Sequence, residues 1–104
     1  MAKKVKLTVL RRELYSDLVE KYSDGKSVSE KCGLFTDGQV IMIEDPNLAM
    51  PEGFCSWAWA DLHREIAAMY HGADYFWSNK KGSIVACCTD GFRPVVFLIE
   101  RIEE

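Results

Sequence analysis

The chain has 104 residues, 48% of them apolar and 28% charged, with a formal net charge of −3. At this length two domains would each be too small to sustain a core, so a single domain spanning residues 1–104 is expected. The acidic balance argues against a nucleic-acid surface, which needs a field of Lys and Arg to neutralise phosphates, and no apolar run approaches the roughly 18 residues of a membrane helix.

"KVKLTVLRR" (4–12) alternates as a first strand should, with Val5, Leu7 and Val9 on one face and Lys4, Lys6 and Thr8 on the other. The spacing then changes. Leu14 and Leu18, and Tyr15 and Val19, lie four apart, which predicts a short helix within 13–22. "SDGKSVSEKCG" (23–33) has loop composition. A second strand follows over 39–44, and Pro46, which has no N–H to give a ladder, stops it.

The strongest helix covers about 56–71, with Ser56 as the expected N-cap and Gly72 as the residue beyond its C-terminus. Trp59, Leu62, Ile66, Met69 and Tyr70 form its apolar stripe, while Asp61, Arg64, Glu65 and Ala68 are assigned to a solvated face. "SIVACC" (83–88) and "PVVFLIERI" (94–102) read as the last two strands, with "TDG" (89–91) between them as a reversal in which Asp90 and Gly91 tolerate positive φ. The final strand is apolar on both faces from Val95 to Ile99, which predicts a central strand covered twice. The whole reads as an α+β domain: a small, mostly antiparallel four-stranded sheet or half-closed barrel packed against one long helix, with a short N-terminal helix.

Cys32, Cys55, Cys87 and Cys88 are the residues with the most distinctive chemistry. None lies in a C-x2-C arrangement. The first 30 residues mix acids with bases and lack a long apolar stretch, so the protein is expected to be cytoplasmic and its thiols reduced. The cysteines come from three separate connections: Cys32 precedes the second strand, Cys55 the long helix, and Cys87 and Cys88 end the third strand. Convergence at one end of the sheet would make a metal or iron–sulfur site from Cys32, Cys55 and one of Cys87 and Cys88, with His63 or His71 as a candidate further ligand, or a thiol redox centre. Cys55, near the positive end of a helix dipole, is placed to favour a thiolate, whereas its aromatic neighbours favour an ordinary buried thiol. A Cys55–His63 catalytic pair is excluded, since eight helical residues span roughly 12 Å.

Trp57, Trp59, Tyr70, Tyr75, Phe76 and Trp77 fall close together in sequence. Trp57 and Trp59 are separated by roughly 200° on a helix, so one fills the core and the other needs a different home. Trp57, Trp59, Tyr75, Phe76 and Trp77, with Arg93, are therefore candidates for a small-molecule pocket or the interface of a homo-oligomer. Neither a phosphate-binding glycine loop nor a Walker-type lysine is present, and no cofactor or reaction is specified.

"MPEGFCSWAWADLH" (50–63) and "VACCTDGFRPVVFLIERI" (85–102), together with "CGLFTDGQ" (32–39) and "YHGADYFW" (70–77), resemble segments of a family of small uncharacterised bacterial and archaeal proteins. The resemblance covers nearly the whole chain. It implies recurrent cysteines at Cys32, Cys55 and Cys88, with Cys87 supernumerary and Thr89 standing where many relatives have proline. It implies no catalytic residue.

Overall fold

Alternating burial along the first strand matches its sequence pattern: Val5, Leu7 and Val9 are wholly buried, while Lys4, Lys6 and Thr8 are half-buried on the other face. This strand, β1 (Lys3–Arg12), opens a series of six elements in the computed structural model, which describes residues 3–103. It is followed by α1 (Ser16–Tyr22), β2 (Val40–Ile43), α2 (Ser56–Tyr70), β3 (Ser83–Cys87) and β4 (Val95–Glu103). The strands form one antiparallel sheet in the order β2-β1-β4-β3. The fold is thus α+β with a four-stranded sheet. The sheet is open, with β2 and β3 at its edges, and does not close toward a barrel.

α2 lies on one face of the sheet, against β1, β3 and β4. Leu62, Ile66 and Met69 carry the contact and are fully buried, facing Val5, Leu7, Val95, Phe97 and Ile99. Removing such side chains from water contributes about 1.5–3 kcal/mol each. Phe35 and Phe54 close one end of this core, each with ring centroids 5.2 Å apart and Phe35 edge-on to Phe97 at the same distance.

Three expectations are corrected. β4 is central, but it is covered once: Val96 and Leu98 are only half-buried on the face opposite α2. Glu65 does not lie on a solvated face; it is 7% exposed. Three residues beyond Leu62 the helix has turned it back toward the core margin, where its carboxylate accepts from Arg64 Nε at 2.7 Å and the Tyr75 hydroxyl at 3.4 Å. Finally, neither Asp90 nor Gly91 adopts positive φ. The reversal is instead an Asx turn, with Asp90 accepting from the N–H groups of Phe92 and Arg93.

At its C-terminus α2 stops at His71 and Gly72, whose φ of +93° is the left-handed conformation that favours glycine. Arg101, from β4, reaches this end. Its Nη1 donates to the carbonyls of Met69 (3.1 Å) and Ala73 (3.0 Å), and its Nη2 to Asp74 (3.1 Å). Asp74 also accepts from the Gly82 N–H at 2.7 Å, and the guanidinium lies 3.3 Å from where a Gly82 Cβ would stand.

Candidate functional site

The N-terminal end of α2 is finished differently. Cys55, and not Ser56, is the N-cap; its backbone is extended and its side chain makes no cap hydrogen bond to the first-turn N–H groups. The first turn contains no acid. Around this end lies a cavity of about 400 Å³, lined by Cys55, Trp57, Ala58 and Asp61 of the cap and helix, by Cys32, Leu34 and Phe35 of the α1–β2 connection, and by Cys88, Thr89, Asp90, Arg93 and Val95 beyond β3. Its size falls within the range of small-molecule sites.

Each wall is held by specific bonds. Arg12 donates from Nη1 to the Cys32 carbonyl at 3.0 Å and from Nε to Asp37 at 3.0 Å, which fixes the Cys32 segment to the end of β1. The Arg12 guanidinium in turn holds the Asp37 carboxyl below its ordinary range. Asp61 accepts from the Thr89 N–H (2.8 Å) and hydroxyl (2.9 Å), tying α2 to the β3–β4 connection. Cys88 continues the ladder through its N–H to Val95 at 3.1 Å, while its Sγ accepts from the Val95 N–H at 3.3 Å. Arg93 donates from Nε to Asp90 at 3.4 Å. Burial pushes the Asp90 carboxyl upward, but the N–H groups of Phe92 and Arg93 and the Arg93 guanidinium outweigh it, leaving the group below its usual value.

The three cysteines named from sequence thus share one cavity. All are free thiols, each partly buried. Among the described residues, however, no three His, Cys, Asp or Glu side chains are grouped to hold a metal ion. A metal or iron–sulfur centre needs its ligands to close on one point; here the sulfurs share walls of a space. Cys87 lies outside the cavity and is exposed. Neighbouring protein still shields its sulfur partly from water, which pushes the thiol pKa up, and Cys88 and the Asp61 carboxylate add to this.

The aromatic candidates divide. Trp57 stands at the cavity, 82% exposed, and Arg93 lines it. Trp59 is half-buried against the core, edge-on to Phe54 at 5.6 Å and to His63 at 5.5 Å. Tyr75 and Trp77 line a separate groove beside β3, and Phe76 is 94% exposed. Neither histidine lines the thiol cavity.

Leu34, Phe35, Asp61 and Thr89 are lining residues that sequence reasoning did not select. Loop position hid the first two, and Asp61 carried the signature of a solvated helix face. The Asp-to-loop tie has no local pattern, because its partners are 28 residues apart. No family model, curated protein or solved structure matches the chain.

Proposed function

We propose that the protein is a small-molecule-binding protein whose ligand occupies the cavity at the N-terminal end of α2. The observation that carries this reading is the arrival of Cys32, Cys55 and Cys88, from three separate connections, at the walls of one space of about 400 Å³. Leu34, Phe35, Trp57, Ala58 and Val95 offer apolar surface to a flat or hydrocarbon group. Asp61 and Asp90 are engaged by Thr89 and by Arg93 and its turn, so the acids serve to shape the wall. Arg93 spends Nε on Asp90 and leaves the outer end of its fork for a polar or anionic ligand group. Reduced thiols lining such a site suit a cytoplasmic setting.

The test uses 8-anilinonaphthalene-1-sulfonate, whose rings match the apolar wall and whose sulfonate matches Arg93. Binding is followed by probe fluorescence, and iodoacetamide modification of each cysteine by mass spectrometry. The expected result is at least a severalfold slowing of alkylation at Cys32, Cys55 and Cys88 with Cys87 unaffected, and weaker probe binding in Arg93→Gln. No binding, or equal protection of all four thiols, would overturn the reading.

A further inference from the structure

β3 ends the sheet, and its ladder to β4 determines which of its backbone groups remain outside. The Gly82 carbonyl accepts from Arg101 N–H at 2.7 Å, and Cys88 N–H donates to the Val95 carbonyl at 3.1 Å. Hydrogen-bonded pairs alternate in an antiparallel ladder. Ile84 and Ala86 therefore direct their backbone groups to Ile99 and Phe97, while Ser83, Val85 and Cys87 direct theirs away from the sheet. The Ser83 end is closed. That residue is 5% exposed, and the turn before it folds over its hydroxyl through Ser78 Oγ and the Lys80 carbonyl. Val85 and Cys87 are both exposed and form the open edge.

Such an edge is ordinarily protected by a charge, a proline or a bulge. "SIVAC" (83–87) has none of these, and its register against β4 is unbroken. Beside it runs a groove of about 640 Å³, walled by Asp61, Arg64 and Glu65 of α2 and by Tyr75 and Trp77. Trp77 is 64% exposed and meets the still more exposed Phe76 edge-on at 5.0 Å.

We infer that β3 pairs antiparallel with β3 of a second copy of this chain, about a two-fold axis at Ala86, joining the two sheets into one of eight strands. This register uses only what the edge offers. With Ala86 opposite its mate, Val85 of each copy faces Cys87 of the other, and their outward N–H and C=O groups satisfy one another reciprocally. The Val85 and Cys87 side chains meet on the face away from α2. The same alignment carries Lys81 and Gly82 of one copy toward Asp90 of the other, so opposite charges approach at both ends of the seam. Phe76 and Trp77, which bury about 150–250 Å² each when covered, extend the seam toward the roughly 800 Å² per partner of a stable interface. A two-fold contact must be self-complementary, and both the backbone pattern and the charges meet that condition. An unrelated extended peptide would use the same edge without this reciprocity.

Sedimentation equilibrium of the full chain from micromolar to submillimolar concentration tests the inference. The expected mass is twice 11.9 kDa. Val85→Lys places a charge in the seam and is expected to give a monomer with unchanged circular dichroism, because position 85 is exposed, and with a Tm that no longer depends on protein concentration. Ala86→Cys sets two thiols at the non-hydrogen-bonded spacing of about 4.5–5.5 Å. With copper–phenanthroline and oxygen as oxidant, it is expected to form an intermolecular disulfide that peptide mapping locates at 86–86. A monomer at every concentration, a dimer that Val85→Lys leaves intact, or no 86–86 link would overturn the inference. Naphthalene-sulfonate binding to monomeric Val85→Lys separates this result from the fate of the thiol cavity.

Discussion

At its C-terminal end α2 runs into Arg101, which donates to two carbonyls at the helix end and to Asp74 within 3.1 Å. At its N-terminal end Cys55 occupies the cap without a side-chain bond, and a cavity opens beside the first turn. The first end is saturated by the protein's own groups. The second keeps polar and sulfur-bearing groups facing a space large enough for a ligand. One helix thereby separates the work of holding the fold from the work proposed for the site, and substitutions at its two ends should have opposite consequences.

The largest effect is expected at the saturated end. Arg101→Met keeps much of the side-chain stem but removes three charge-assisted or carbonyl hydrogen bonds, and should lower unfolding free energy by about 2–4 kcal/mol. Urea denaturation measures this, and the affinity of the naphthalene sulfonate for the thiol cavity should not change. A loss of both would mean that the two ends are not independent.

Cys55→Ser reverses the pattern. A serine hydroxyl at the N-cap can accept from a first-turn N–H, so stability should rise by about 0.5–1 kcal/mol. The same change removes one of the three thiols and should weaken the probe severalfold. A variant that is less stable yet binds as before would contradict both halves of the comparison.

Acid should produce the smallest effect, and at both ends. The Gly82 N–H, followed by Arg101, holds the Asp74 carboxyl below its ordinary value of 3.8; Asp90 is lowered on balance by its turn and Arg93 despite burial. A carboxyl whose folded pKa is depressed contributes stability that is fully present above the unfolded value, and loses it as pH falls through the folded one. Carboxyl NMR titration should therefore place both midpoints below 3.8. Chemical-shift changes at Gly82 and Phe92 N–H should track those midpoints, with little change between pH 5 and pH 7.

The elements were legible because their periods are strong. β1, α2 and β3 fall within one residue of the spans expected from alternation and helical spacing, and Gly72 stands where the helix must end. The thiol set was legible in part: residue type picked out four cysteines, their three connections suggested one end of the sheet, and only the family resemblance preferred Cys88 to Cys87. Glu65 and Asp61 were not, since an acid one turn from another reads as a solvated face until Tyr75 and Thr89 arrive from distant sequence. Nothing local marks Arg101 either, since it closes the end of α2 by bonds to carbonyls 28 and 32 residues earlier.

The sequence by itself determined the local structure, because hydrophobic period, prolines and glycines act within a few residues. Only the tertiary structure decided that the sheet stays open with β3 at its edge, that Arg101 seals one end of α2, and that three thiols meet at a cavity without grouping as a metal centre. These outcomes depend on distances between residues far apart in the chain, and such distances are set by how the helix and sheet share one core, which no local pattern encodes.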